Sequence, residues 1–230
     1  MSVAKHGERF FNIMASIMLG LIILGFGPST YRTVTIGSGL TLSLIFHAII
    51  FTAWYLLFWY QTQLISTGNN AKHMALGKAS VWLVILIIIT GILASLDAWG
   101  RQVAIAPMSA EQFMMVTWAD LVIFLTGYSL AYKYRTKTDL HKRLMLVSSI
   151  IMLTPATARI AITFGSSQIV SAIVPLLMIV TLAVYDIYTL KKVHWGTITG
   201  LALFFLKVFL LLVVGATALW YDIVHIILGP

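Results

Sequence analysis

The stretch LGKASVWLVILIIITGILASLD, residues 76–97, decides the fold class. It carries no charge between Lys78 and Asp97. At roughly 20 residues it matches what a helix needs to cross about 30 Å of hydrocarbon. Six further apolar runs lie on either side of it, near 10–27, 39–62, 112–132, 143–165, 168–190 and 197–220. Turn chemistry separates them: Gly27-Pro28-Ser29, Ser66-Thr67-Gly68-Asn69-Asn70, Trp99-Gly100-Arg101 and Gly165-Ser166-Ser167. The expected architecture is all-α, a polytopic membrane protein forming a single seven-helix transmembrane domain over residues 1–230. No small-x-small cleavage site precedes Gly27-Pro28, so the first run is expected to be a retained helix and not a signal peptide.

Composition agrees. The chain has 230 residues, 60% hydrophobic and 10% charged, with a mean hydropathy of +0.97. Soluble domains run at about 45–50% apolar and about 25% charged, so the lipid bilayer is the solvent this chain fits. There is no cysteine, which excludes disulfides, iron–sulfur clusters, thiolate metal sites and cysteine nucleophiles.

The formal charge of +8 is a topology signal. Eleven basic residues (Lys5, Arg9, Lys72, Lys78, Lys133, Arg135, Lys137, Lys142, Arg143, Lys191, Lys192) fall at the N-terminus and in the 2–3, 4–5 and 6–7 connections. Only Arg32 and Arg101 fall on the other side, while Arg159 and Lys207 lie inside spans. A cytoplasmic N-terminus and a periplasmic C-terminus in a bacterial inner membrane are expected, and no nucleic-acid partner.

Ionisable groups inside spans cost about 2.5–3.5 kcal/mol on insertion scales and are functional candidates. His47 and Asp120 lie about 12 Å, and Arg159 about 9 Å, below the outer boundary at 1.5 Å per residue. One reading is an Asp120–Arg159 ion pair with His47 beside it, clamping helices 2, 4 and 5. The other is an outer polar pocket, open to the periplasm, in which His47 and Asp120 supply ligands or proton acceptors and Arg159 binds an anion. Pro155, four residues before Arg159, is expected to kink the fifth helix. Lys207 is expected to pair with a carboxylate or face a polar cavity. Retinal is not expected, because Leu203 and not an aspartate stands four residues before Lys207, and the third helix has no carboxylate until Asp97.

On the basic side each of the three hairpins 2–3, 4–5 and 6–7 places a histidine at the start of its outward-running helix: His73, His141 and His194, with Asp186 near the end of helix 6. These three histidines and Asp186 are the candidate ligands of a divalent transition metal, and two of the histidines those of a haem b iron. The alternative is three solvated interfacial anchors. Trp54, Tyr55, Trp59 and Tyr60 on helix 2, and Trp220 and Tyr221 on helix 7, are expected mostly in lipid-facing or belt positions.

His47 with Trp54, the His73-x-x-Leu76-Gly77 start, and His141-Lys142-Arg143-Leu144-Met145 followed by Arg159 resemble a group of uncharacterised bacterial multi-helix membrane proteins. An aspartate like Asp120 and a pair like Tyr185-Asp186 belong to the same resemblance, which spans about residues 47–195. It implies the architecture and the choice of polar residues, and no activity. More distantly, histidines at helix starts followed by Leu-Gly resemble those of haem-binding membrane cytochromes. Three functions follow as expectations: a membrane redox protein holding haem or metal, a transporter or receptor for a small anionic solute, and a non-catalytic subunit with a membrane-protein partner or a second copy.

Overall fold

Side-chain caps set where several helices begin. In a computed structural model, which describes residues 3–36, 41–103, 108–167 and 169–229, the Thr41 hydroxyl accepts from Leu44 N at 3.3 Å and opens α2 (Leu42–Ser66). Asn69 does the same for α3 (Asn70–Gly100). Ser109 and Gln112 form a reciprocal capping box on α4 (Ala110–Lys133). Each cap satisfies an amide that has no partner within its helix. The remaining helices are α1 (Val3–Ile36), α5 (Thr138–Ile151), α6 (Thr154–Thr163), α7 (Val170–Leu190), α8 (Trp195–Phe209) and α9 (Ala218–Leu228). No strand occurs among the described residues.

Seven segments are long and apolar enough to cross a bilayer, among them α5 and α6 taken together as Thr138–Thr163. The chain is an integral, multi-pass membrane protein by this length and composition. The expected span starts at 39 and 168 lie outside the described residues, as do the side chains of Lys5 and Arg32. Two expected boundaries change. α1 runs through Gly27-Pro28-Ser29 to Ile36, although the apolar span itself ends at Pro28. A missing amide at that point frees only a carbonyl close to the span's edge. The seventh span ends at Val214, not 220, because Thr217 caps Trp220 N at 3.2 Å and starts α9. α9 then folds onto the start of α4: Trp220 Nε1 donates to the Glu111 carbonyl at 2.8 Å, and the Tyr221 and Ser109 hydroxyls meet at 2.9 Å.

The fifth span is the centre of the bundle. Its α5 half touches α1, α4, α7 and α8, and Arg143, Leu144, Leu146, Val147, Ser148, Ser149, Ile150 and Ile151 are all buried. Trp54 and Tyr55 are buried against it, not in lipid. Trp54 Nε1 donates to Ser149 Oγ at 3.1 Å and Tyr55 Oη to the Ser149 carbonyl at 3.0 Å. Buried indole and phenol groups seek such partners, which hydropathy alone does not reveal.

α1 seats on α6 through Gly25, where a Cβ would stand 2.5 Å from the Ala156 carbonyl oxygen and 2.9 Å from its Cα. Gly20, five residues earlier, has nothing within 4 Å of such an atom. Gly25→Val is expected to cost about 1–3 kcal/mol by overpacking, and Gly20→Val at most about 0.5 kcal/mol. Thermal unfolding of both variants in detergent checks this; equal midpoints would show that α1 is not held there.

Candidate functional site

Pro155 has no amide hydrogen, so the Ile151 carbonyl, four residues earlier, loses its helical donor. Inside a membrane that carbonyl needs another. Two donors reach it: Thr154 Oγ1 at 3.1 Å and Lys207 Nζ at 3.2 Å. The ammonium also donates to Thr154 Oγ1 at 2.5 Å and forms an ion pair with Asp120 Oδ1. Lys207 from α8 thus spends its three hydrogens on the break between α5 and α6 and on α4. Lys207 is 5% exposed and Asp120 7%. Among the described residues Asp120 has no other partner: apart from this ion pair neither carboxylate oxygen is hydrogen-bonded. Immediately beyond α8 the backbone widens into a π-helical turn, Leu210–Val214, a distortion that often marks functional positions in helices.

The expected Asp120–Arg159 pair is therefore corrected. Asp120 pairs with Lys207, and the outer trio of His47, Asp120 and Arg159 divides into two centres. His47 and Arg159 remain neighbours, within electrostatic reach of each other. The Arg159 guanidinium lies over the Phe26 ring at 4.4 Å and gives one hydrogen bond, to the Pro155 carbonyl at 3.1 Å. Among the described residues it has no carboxylate partner. His47 packs on Phe51 with ring centroids 4.1 Å apart, and its Nδ1 is buried without a hydrogen bond.

At the end that carries the α2–α3, α4–α5 and α7–α8 turns, Asp186 is fully engaged. Its Oδ1 accepts from Arg143 Nε at 2.8 Å and Nη2 at 2.6 Å. Its Oδ2 accepts from His194 N at 3.1 Å and Thr197 Oγ1 at 2.5 Å. Arg143 and Asp186 are both essentially inaccessible, and Arg143 also donates to the Asp139 carbonyl at 2.9 Å. Four donors fill the carboxylate, so Asp186 has no lone pair directed at a metal. His194 is bound up as well: its Nδ1 accepts from Gly196 N at 3.0 Å and caps α8.

His73 and His141 are brought together, with ring centroids 6.5 Å apart and planes 80° to each other. His141 Nδ1 contacts the Ala131 carbonyl at 2.9 Å. A carbonyl only accepts, so Nδ1 carries the hydrogen and Nε2 the lone pair of the neutral ring. His73 Nδ1 is buried and unbonded. Among the described residues no three His, Cys, Asp or Glu side chains converge as a metal site, so His73, His141, His194 and Asp186 do not form one ligand set.

Set against family models, curated proteins and solved structures, the chain matches none. Function has to be read from the polar centres themselves. Of the expectations for these charges, Lys207 does pair with a carboxylate, Asp120, while the alternative Asp120–Arg159 pair does not form; the Arg143 partner of Asp186 is not among the sequence candidates. The signal for Lys207 was present: a proline four residues after Ile151 announces a carbonyl in need of a donor.

Burial, reinforced by the Arg143 guanidinium, holds the His194 imidazole below its usual range. An unfolded histidine titrates near about 6.5. Below that value the unfolded chain binds a proton that the folded cap resists. The cap's contribution is therefore complete above about pH 6.5 and is lost as pH falls through the window beneath it. His194→Asn keeps a capping oxygen and is expected to flatten the fall of the thermal midpoint below about pH 6.5 relative to the wild type. Identical pH profiles would remove His194 from this role.

Proposed function

We propose that the protein transports a small anionic solute across the bacterial inner membrane, with Arg159 as its anion contact. The observation that carries this reading is a guanidinium inside a span that has no carboxylate partner among the described residues and uses one of its five donors internally. Charged groups at such depth pair or mark a ligand path. Lys207 continues the path: it binds Thr154, adjacent to the Pro155 whose carbonyl holds Arg159. Discontinuous helices near the middle of a membrane protein supply the polar backbone that transport sites use. The strong excess of Lys and Arg at the opposite end favours a cytoplasmic N-terminus, which turns the His47–Arg159 centre toward the periplasm.

Arg159→Gln is expected to abolish stabilisation of the detergent-purified protein by sodium phosphate, sulfate, succinate and glutamate, each tested separately. The wild type is expected to gain thermal stability from at least one of them. A wild type indifferent to all four would overturn the reading.

A second reading, membrane redox chemistry with a divalent transition metal or haem b, draws support from the His73–His141 pair alone. The Ala131 carbonyl orients His141 as second ligand shells commonly orient a metal-binding imidazole. Two histidines suffice for a haem iron, while a divalent metal needs further ligands beyond this pair. Oxidised and dithionite-reduced spectra with elemental analysis test it. Stoichiometric metal or a Soret band in the wild type, lost in the double variant His73→Ala/His141→Ala, is the expected outcome; a colourless, metal-free wild type would sink it.

A further inference from the structure

Asp120 and Lys207 differ in how they are held, and that difference has a functional content. Lys207 keeps two anchors, Thr154 Oγ1 and the Ile151 carbonyl, if Asp120 is taken away. Asp120 keeps none if Lys207 is taken away. Among the described residues the groups that act on Asp120 are few: Lys207 from α8 carries the charge, and Tyr55 from α2 is the other titratable neighbour. Arg159 of α6 and His47 of α2 belong to the adjacent centre. As it stands, the pair is neutral in a surrounding that disfavours net charge.

An anion arriving at Lys207 would leave two negative charges against one positive charge. We propose that Asp120 takes up one proton when an anion binds at Lys207, so that anion and proton enter the centre together. The balance is simple: the carboxylate gains a proton from water and becomes a neutral acid, Lys207 stays an ammonium, and the anion replaces the carboxylate as its counter-ion. No bond other than O–H forms, and nothing is oxidised or reduced. Tyr55 stays outside the exchange because its hydroxyl is committed to the Ser149 carbonyl. The inference rests on the anion-transport reading and adds the coupling ion to it.

Two measurements on the full-length protein in detergent decide it. Sodium phosphate, sulfate, succinate and glutamate are titrated in weakly buffered solution, with bound anion followed by calorimetry and proton uptake by a pH dye. Buffer-only and anion-only blanks correct for protonation of the anion itself. The wild type is expected to take up one proton per anion bound, and its affinity for that anion to fall about tenfold per pH unit in the range where Asp120 is ionised, as linkage to one proton requires. Asp120→Asn is expected to bind the same anion with no proton uptake and no pH dependence. If that variant does not fold with Lys207 uncompensated, the double variant Asp120→Asn/Lys207→Gln, which removes both charges, is expected to fold and to take up no proton. Anion binding by the wild type without proton uptake would overturn the coupling and leave the transport reading intact. Proton uptake that persists in the folded double variant would overturn the assignment to Asp120. No anion binding at all would overturn the transport reading and the coupling with it.

Discussion

One missing hydrogen organises the middle of this protein. Pro155 cannot donate to the Ile151 carbonyl, and in hydrocarbon an unbonded carbonyl costs several kcal/mol. That single vacancy explains why a lysine side chain is buried there, why Thr154 turns its hydroxyl inward, and why α5 and α6 are separate helices. It also explains the place of Asp120, since a buried ammonium calls for a counter-charge. Four elements, α4, α5, α6 and α8, thereby meet at one ion pair.

The two ends of the bundle solve the same problem differently. At the basic end, Arg143 and Asp186 are satisfied by each other, by Asp139, and by Thr197 and the His194 amide. Such a network has no vacancy and acts as a joint between α5, α7 and α8. Toward the far end, Arg159 and His47 are only partly satisfied, with one hydrogen bond to the guanidinium and none to the buried imidazole nitrogen. Full satisfaction belongs to structure; partial satisfaction leaves donors for something that arrives.

Hydropathy made depth legible. The seven spans follow from counting residues at a fixed rise, and the break at Pro155 from its missing amide. Rotation about each helix axis was not legible, because a span bathed in lipid is apolar all round and carries little amphipathic signal. This is why sequence alone does not decide between Arg159 and Lys207 as the partner of Asp120. It is also why hydropathy does not reveal that Trp54 and Tyr55 are buried against Ser149. On the histidine side the four candidates separate into two pairs, His73 with His141 and Asp186 with the His194 amide.

The joint between Arg143 and Asp186 closes over 43 residues of sequence. A chain made from its N-terminus presents Arg143 to the membrane before Asp186 exists. It presents Asp120 earlier still, with the whole of α5, α6 and α7 to be made before Lys207 appears. Until then each charge enters or skirts the bilayer without its partner, at a cost of about 2.5–3.5 kcal/mol for a residue at the centre of a span. The fourth and fifth segments are therefore the least committed to the membrane while synthesis continues, and the arrival of the seventh sets the order in which the whole bundle becomes permanent.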